Sequence, residues 1–405
     1  MSVVRFFGCF AILSLPCVSH GADWAVSGYG KSYFVFQDDV SVGGYQVQQE
    51  QIQLQNAVRL MISAHTQSGH DFELHYEVQP TFSVNKNRAS SGLSPQSALT
   101  SSSYRLDDLS SEVDQSDHSQ IFQNLDRLNI QIHLEHGDLT LGRQAIAFGS
   151  ARMVNPMDLF LPYALQTLNT EYRVGIDGIR YQHYLSDFAL LDMGVIIGKD
   201  SKPEGSAAFI RSQTSIEGND IEMMMIQLDQ AQLFAAGLQR SLGDFGAWIE
   251  TAYLNTNQSS SNQKRYWRTS LGIDYAVNED VFMMLELHHN GAGTDQAKHY
   301  LSKTQSAAYE QYGVYLLGKE YVMPSFTVTI NPLLTIASSL VYNLDDQSSL
   351  LNLVAETSWS ENQYSQFGLY QGFGKGLGLS NSMPEIQSEY GASPLIIYAS
   401  FGVYF

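Results

Sequence analysis

The chain has 405 residues, of which 16% are charged and 12% are aromatic, and its formal net charge at pH 7 is −19. This acidic balance argues against DNA or RNA as a partner, because phosphate binding requires clustered Lys and Arg. Few charges combined with many Tyr and Phe fit a protein whose outer surface meets lipid, although a soluble domain of this length can also bury a core.

The N-terminus has the pattern of a cleaved secretory signal. Arg5 supplies the positive charge, and the apolar stretch over residues 6–15 is too short for a transmembrane helix. Small residues precede a cleavage position after Gly21. We therefore predict a signal peptide over residues 1–21 and a single β-barrel domain over residues 22–405.

Both cysteines, Cys9 and Cys17, lie inside this signal. The mature chain is therefore predicted to have no disulfide framework and no cysteine-based metal or haem site. No apolar run of about 18 residues follows the signal, so no membrane-spanning helix is predicted.

Apolar and polar residues alternate along many segments of the mature chain. In residues 71–84 the apolar positions are Phe72, Leu74, Tyr76, Val78, Phe82 and Val84. Residues 51–62, 127–134 and 267–277 repeat the pattern. Side chains of a strand point alternately to opposite faces, so each stretch is predicted to be a strand with one apolar and one polar face.

The lengths of these strands and of their connections favour a membrane barrel over a soluble sandwich. Several strands run for about 11–14 residues against a usual 5–6, and a tilted strand needs about 9–11 residues to cross a bilayer. Short connections (136–137, 186–187, 278–280) alternate with long ones (37–49, 85–120, 149–171, 200–220, 291–306). Short periplasmic turns and long external loops give this rhythm.

The last strand ends on an aromatic residue. Its apolar row is Leu395, Ile397, Ala399, Phe401, Val403 and Phe405. A final strand that closes on Phe resembles the C-terminal signal of outer-membrane barrels. The resemblance implies that the barrel assembly machinery of the outer membrane is a partner through the Phe405 strand.

We predict an all-β fold, a transmembrane antiparallel up-and-down β-barrel of about 16 strands with a range of 14 to 18. An even number places both chain ends on the periplasmic side. The predicted strands are 24–36, 50–63, 71–84, 121–135, 138–148, 172–185, 187–198, 221–241, 245–255, 266–277, 281–290, 307–317, 321–343, 350–360, 363–372 and 393–405. Segments 221–241 and 321–343 are each long enough for a hairpin. The longest connection, 85–120, either constricts the lumen or is a flexible external loop.

Charged residues concentrate in two neighbouring strands and their loop. The group consists of Arg143, Arg152, Asp158, Glu171, Arg173, Asp177 and Arg180. An arginine on the lipid face costs about 2–4 kcal/mol at the midplane, so we expect these side chains to face the lumen or the rim. Arg143 shares parity with Leu139 and Leu141, and the apolar row shifts near Gly178, so inward orientation requires a bulge.

The same region carries a family resemblance. Gly142-Arg143-Gln144, then Asn155-Pro156, then Asp177-Gly178-Ile179-Arg180 resembles outer-membrane porins of the alginate-export type and related substrate-specific channels. The resemblance covers residues 139–181, a small part of the chain, and it implies a barrel channel.

The expected function is passive diffusion of small hydrophilic solutes across the bacterial outer membrane. A barrel of about 16–18 strands leaves an aqueous channel. We expect Arg59, Glu73 and Glu77 to line it, together with Gln53, Arg127 and Arg268, and the charged group of residues 143–180 to set its selectivity. Paired charges that only hold two hairpins together are the compatible alternative. Outer-membrane lipid surrounds the barrel, and a homotrimer or a monomer are both open.

Catalytic and cofactor signatures are missing from the sequence. We find no Gly-x-Ser-x-Gly elbow, no phosphate loop and no histidine spacing typical of metal sites. We therefore expect no enzyme, no cofactor and no metal. Two alternatives stay open. A barrel enzyme acting on lipid or polysaccharide requires Ser or Asp within about 3 Å of a His at the external rim. A non-conducting barrel that anchors partners requires a lumen filled by its own loops.

Overall fold

The structure of the protein is a computed structural model. It describes residues 22–42, 45–85, 104–107, 110–116, 118–160, 168–169, 171–258, 263–380 and 383–405. The predicted signal peptide, residues 1–21, lies outside the described residues.

Within these described ranges, none of the helices combines the length and the apolar character that crossing a membrane would require.

The fold is all-β. In chain order the strands are β1 (Ala22–Gln37), β2 (Val40–Val42), β3 (Tyr45–Gln48), β4 (Gln51–Thr66), β5 (Asp71–Ser83), β6 (Ser110–Gln115), β7 (Ser119–Leu134), β8 (Gly137–Gln144), β9 (Ile176–Ser186), β10 (Ala189–Ile196), β11 (Ala207–Ile216), β12 (Asn219–Leu228), β13 (Ala231–Leu242), β14 (Phe245–Thr256), β15 (Arg265–Ala276), β16 (Val281–Asn290), β17 (Glu320–Asn331), β18 (Leu334–Asn343), β19 (Ser349–Ser360), β20 (Gln363–Phe373), β21 (Leu377–Ser380), β22 (Met383–Ile386) and β23 (Ile396–Tyr404).

Eighteen of these strands form a closed antiparallel barrel. Closure is made by the last strand, because β23 pairs with β20 on one side and with β1 on the other, with Tyr29 opposite Tyr404. Strand β1 also pairs with β4 along its whole length. A closed ring leaves no strand edge with unpaired backbone groups. The hairpins β2–β3 and β21–β22 lie in connections, and β6 extends the wall beside β7.

Ala22, the first described residue, and Phe405 lie at the same end of the barrel, which we call the turn end. All connections at this end are short: 67–70, 135–136, 187–188, 217–218, 243–244, 277–280, 332–333 and 361–362. The opposite end, the loop end, carries the long connections, including 145–175 and 291–319. The longest connections lie at the loop end, as predicted, although connections 229–230 and 344–348 at that end are short and part of the predicted loop 200–220 is strand β11.

The apolar rows face outward and the polar rows face inward, as the alternation predicts. Phe82, Trp267 and Phe401 are 49%, 52% and 47% exposed, whereas the inward Gln55 and Glu77 are each 2% exposed. Exposure of large apolar side chains all around a β-sheet costs free energy in water. This surface therefore suits an apolar surrounding.

The strand count differs from the expected 16 because four segments fold differently. Segments 221–241 and 321–343 are each a hairpin, and residues 207–216 of the predicted loop 200–220 form β11. Segment 307–317, predicted as a strand, instead begins with a helix and continues as loop. Short apolar runs do not distinguish a strand from a packed helix. The result, 18 strands, lies within the predicted range.

Loops fill much of the interior at the loop end. Two short helices, α1 (Tyr300–Thr304) and α2 (Ala307–Glu310), lie in the connection between β16 and β17, and single 3₁₀ turns occupy Lys199–Ser201, Pro203–Gly205 and Ala297–His299. Phe148, Leu159 and Phe160 of the β8–β9 connection are at most 2% exposed and pack against inward residues of β9–β15. The interior at this end is therefore a packed apolar core rather than an open tube.

Of the connection 85–120, residues 86–103 lie outside the described residues. Its later part does enter the barrel. Tyr104 packs edge-on against Phe160 with ring centroids 5.0 Å apart, and Arg105 is fully buried. The main element inside the barrel is nevertheless the β8–β9 connection, although the length of residues 149–171 predicted an external loop.

Candidate functional site

Residues 145–160, which we call the crossing segment, run from β8 across the lumen to the opposite wall. Two inward glutamates of that wall bind its backbone. Glu250 on β14 accepts hydrogen bonds from the amides of Ser150 and Ala151. Glu286 on β16 accepts from three consecutive amides, those of Arg152, Met153 and Val154, at 3.0, 3.3 and 2.9 Å. Five backbone amides of the crossing segment, which has no regular secondary structure there, thus donate to the carboxyl oxygens of two side chains.

Strand β15, which lies between β14 and β16, binds carbonyl groups of the crossing segment and of the β16–β17 connection. Arg268 on β15 donates to the carbonyl oxygens of Pro156 at 2.7 Å and Gly313 at 3.3 Å. Ser270 donates its hydroxyl to the carbonyl of Val154 at 2.6 Å. Neighbouring inward positions of three strands therefore fix the crossing segment as a constriction. The sequence analysis did not identify Glu250, Glu286 or Ser270.

A serine–histidine contact bears on the enzyme alternative. Ser270 Oγ lies 2.8 Å from His288 Nδ1. Both residues are buried, at 0% and 3% exposure, and the hydroxyl proton of Ser270 is directed to the carbonyl of Val154. Ser270 therefore accepts from His288 and serves to hold the crossing segment. The pair lies inside the barrel wall rather than at the external rim.

Asp126 is the centre of a buried charge cluster on β4, β5 and β7. Its carboxylate binds Arg59, contacts Arg127 Nη1 at 3.0 Å and accepts from the amide of Gly175 at 2.8 Å. Arg59 also donates to Glu77 at 2.9 Å and stacks 4.4 Å above the ring of Tyr172. Arg59 thus links Glu77, which was predicted to line the lumen, to Asp126, which the sequence did not indicate.

A β-bulge explains why Asp126 escaped sequence analysis. The pairing of β5 with β7 shifts between His75 and Tyr76, so that His75 faces Arg127 and Tyr76 faces Leu125. The extra residue allows Asp126 and Arg127 to point inward together, at 0% and 7% exposure. Strict alternation would have placed one of them on the apolar outer face.

Arg143 faces the lumen because the backbone at the preceding residue, Gly142, is not in the extended conformation of a strand. It lies opposite the outward Leu128 in the ladder, yet it is 4% exposed and bonds both oxygens of Asp177 at 2.8 and 2.9 Å. Gly142 has φ +114°, and a Cβ there would lie 2.3 Å from the carbonyl oxygen of Leu128. The predicted irregularity thus occurs at Gly142, whereas the pairing through Gly178 is continuous.

A second ion-pair ladder lies on β9–β12. Arg180 binds both oxygens of Asp192 at 2.8 and 2.7 Å. Arg211 lies between Asp192, at 3.5 Å, and Glu222, at 2.9 Å. This ladder includes none of the other predicted site residues.

The remaining predicted site residues also have partners inside the barrel. Arg173 binds Asp158, and Arg152 reaches Asp274 at 3.1 Å. Glu171 binds Lys31 on β1 and accepts from the Tyr404 hydroxyl at 2.6 Å. Glu73 accepts from Asn129 at 3.2 Å. The structure therefore places the charged group in several separate pairs rather than in one ring.

Three cavities lined by described residues open inside the barrel at the turn end. The Lys31 cavity, about 340 Å³, is bordered by β1, β19, β20 and β23 and includes Glu171, Glu356 and Glu361. The Asp220 cavity, about 520 Å³, lies below Ser150 and includes Asp187 and Glu222. The Asp71 cavity, about 380 Å³, includes Asp23 and Glu73. They form the wide, polar part of the interior.

Glu389 joins three connections at the loop end. Its carboxylate accepts from the amide of Leu317 at 2.8 Å, from the hydroxyl of Tyr321 at 2.5 Å and from Asn343 at 2.7 Å. Removal from water raises the pKa of Glu389 from its ordinary 4.5 to about 7, and the nearby Asp346 carboxylate acts in the same direction.

This shift predicts that the loop layer loosens as the pH rises. The folded state holds the proton of Glu389 up to a pH of about 7, whereas an unfolded glutamate loses it near 4.5. The contacts are therefore strongest below that lower pH and weaken as the pH rises through about 7. Hydrogen exchange at the amides of Leu317 and Gly318, corrected for intrinsic rates, should speed up across this interval.

The Glu389→Gln variant is expected to remove this pH dependence, because it cannot ionise. The matched control is Glu310→Gln, an exposed glutamate of α2, which should behave like the wild type. A Glu389→Gln protein that retained the full pH dependence would contradict the assignment to this carboxyl.

Comparisons by sequence give no relative. No family model matches the chain, and no curated protein matches it. Within the parts of the chain that the structure describes, no group of three or more His, Asp or Glu side chains is placed to hold a metal ion.

Solved structures do share the fold. The chain is similar to OccAB4 of Acinetobacter baumannii, with a TM-score of 0.56 and 8% identity over 95% of this chain and 98% of that chain. OprD of Pseudomonas aeruginosa gives 0.56 and 10% over 95% of both chains. OccK5 (OpdH) of Pseudomonas aeruginosa gives 0.55 and 9% over 95% and 98%. The chain therefore has the closed β-barrel fold of these three proteins.

Proposed function

We propose that this protein is an outer-membrane porin through which small hydrophilic solutes diffuse passively. Proteins that share its fold include OprD/Occ porins, which are channels of the bacterial outer membrane. The observation that carries the proposal is the two-sided wall: apolar side chains cover the outside of a closed ring, and charged and amide side chains cover the inside.

The outward apolar surface supports insertion in lipid. In hydrocarbon every backbone polar group needs a partner within the protein, and a closed barrel provides one along its whole circumference. We propose that outer-membrane lipid covers this surface. We also propose that the assembly machinery recognises the last strand, whose Phe405 is 58% exposed beside the closing pair β1–β23.

The interior supports a narrow and selective channel. The crossing segment spans the lumen from β8 to β14–β16, and cavities lie on the turn side of it. We propose that the ion pairs around it, which include Arg59, Glu77, Arg143 and Asp177, hold the walls of the pathway. The other predicted residues, Glu73, Arg152, Asp158, Glu171, Arg173 and Arg180, belong to the same interior surface.

Neither alternative function gains support from these observations. The Ser270–His288 pair is buried and its hydroxyl is committed to the crossing segment. The loops fill the loop end of the barrel but leave the polar cavities at the turn end. Proteins of the same fold are channels rather than enzymes.

Conductance tests the proposal directly. The purified, folded protein should give discrete current steps in planar bilayers, and proteoliposomes should swell in small solutes faster than in large ones. A heat-unfolded sample of the same preparation is the control and should give neither signal. Folded protein that inserts into bilayers but passes neither ions nor solutes would contradict a porin function.

A further inference from the structure

Most basic side chains of the lumen are paired with carboxylates. Lysine and arginine groups found bonded to inward carboxylates or carbonyls are Lys31, Arg59, Arg105, Arg127, Arg143, Arg152, Arg173, Arg180, Arg211 and Arg268. A bidentate or buried pair presents little net charge to a passing solute, since the two opposite charges lie within about 3–4 Å of each other. The arginines paired with carboxylates therefore attract anions only weakly, and Arg268, whose bonds go to carbonyl groups, is 4% exposed.

The turn end has an excess of carboxylates. Each of the three cavities there is lined by three acidic residues, and Lys31 is the only lysine or arginine among their described lining residues. Lys31 is already paired with Glu171. Glu356 and Glu361 therefore remain as net charge in the first cavity, and Asp187 and Asp220 in the second.

The cavity described at the loop end does not share this excess. A fourth cavity, about 430 Å³ in size, lies at the loop end and is lined by two lysines, Lys199 and Lys202, and two acids, Glu204 and Asp229. Its formal charge is balanced. The asymmetry arises from inward positions at the turn ends of β1, β5, β12 and β19, which carry Asp23, Glu73, Asp220 and Glu356.

Such an arrangement acts on ions through its summed field. A cleft lined by one sign of charge and walled by protein focuses the potential and raises the local concentration of counter-ions. Rings of Asp and Glu select cations in channels. At about 0.1 M salt the Debye length is about 10 Å. The field of carboxylates on a cavity wall therefore extends to an ion inside a cavity of this size.

We infer that the channel prefers cations over anions, and that small organic cations such as primary ammonium compounds are among the solutes it passes. The inference rests on the proposed channel function and adds its substrate class. The acidic cavities at the turn end determine the preference, and the paired arginines around the crossing segment do not reverse it.

Reversal potentials in a KCl gradient test the inference. We expect K⁺ to permeate over Cl⁻ by about threefold or more at low salt, as a potential of one to several kT implies. The ratio should fall towards one at about 1 M KCl, where the Debye length is about 3 Å. The reversal potential in a gradient of methylammonium chloride should likewise show methylammonium permeating over Cl⁻.

The double variant Asp220→Asn with Glu356→Gln should lower the permeability ratio by about twofold. The matched control, Glu135→Gln with Glu279→Gln, removes the same charge from exposed turn positions at the same end and should leave the ratio close to wild type. Currents with no preference or an anion preference would overturn this inference and leave the channel function standing. Absence of any current from folded protein would overturn both.

Discussion

Replacing Asp126 by asparagine is expected to destabilise the barrel by about 3–5 kcal/mol, the cost of removing one partner from a buried ion cluster. Asp126 is fully buried and is bonded by Arg59, by Arg127 and by the amide of Gly175. Arg105 lies 3.8 Å from its other oxygen. Without the negative charge, three buried guanidinium groups would share Glu77 as the nearest remaining acid.

Urea unfolding of the protein in detergent or lipid measures this effect as a shift in midpoint at constant slope. Asp244→Asn is the matched control, because that aspartate is exposed in a turn, and it should change stability by at most about 0.5 kcal/mol. If Asp126→Asn were as stable as this control, the cluster would not contribute to holding β4, β5 and β7 together.

Removing Glu250 and Glu286 together is expected to release the crossing segment and to increase the single-channel current. Five backbone amides would lose their charged acceptors, and hydrogen bonds to charged groups contribute about 1.5–3 kcal/mol each. Trp248 would also lose its partner, since its indole donates to Glu286 at 3.1 Å. The barrel wall itself keeps its ladder of backbone hydrogen bonds between β14, β15 and β16.

The double variant Glu250→Ala with Glu286→Ala should therefore remain a barrel while its current becomes larger and noisier. Retention of the folded form is checked by its resistance to unfolding in detergent at room temperature. Glu135→Ala with Glu279→Ala is the control, because it removes the same charge from exposed positions of the short turns. A folded double variant with unchanged current would show that the crossing segment does not set the width of the pathway.

Local pattern was sufficient to predict the wall of the barrel. Alternation along residues 71–84 and 267–277 reports which face of a strand is apolar, because the side-chain period of a strand is two. The positions of the short turns follow from the same signal. The apolar row that includes Phe401 and Phe405 likewise predicted an outward-facing last strand. The predicted inward orientation of Arg59, Glu77 and Glu73 follows from parity alone.

Odd or even position along a strand no longer predicts the direction of a side chain where the backbone departs from a regular strand. Asp126 faces inward because of a bulge opposite His75, and Arg143 because of the left-handed conformation of Gly142. Neither event has a reliable signature in a single sequence, since bulges depend on pairing with a partner strand. The count rose to 18 because segments 221–241 and 321–343 are hairpins and residues 207–216 form a strand, whereas segment 307–317 packs in the lumen and forms none.

The amino-acid sequence by itself determined the two-faced wall, because each strand records in its own side chains which face meets apolar surroundings. Only the tertiary structure decided what lies inside the ring. Glu250 and Glu286 are far from residues 150–154 in the chain, and only barrel closure brings these acceptors to those amides. Contacts across a lumen depend on curvature and on loop paths, which no local pattern encodes.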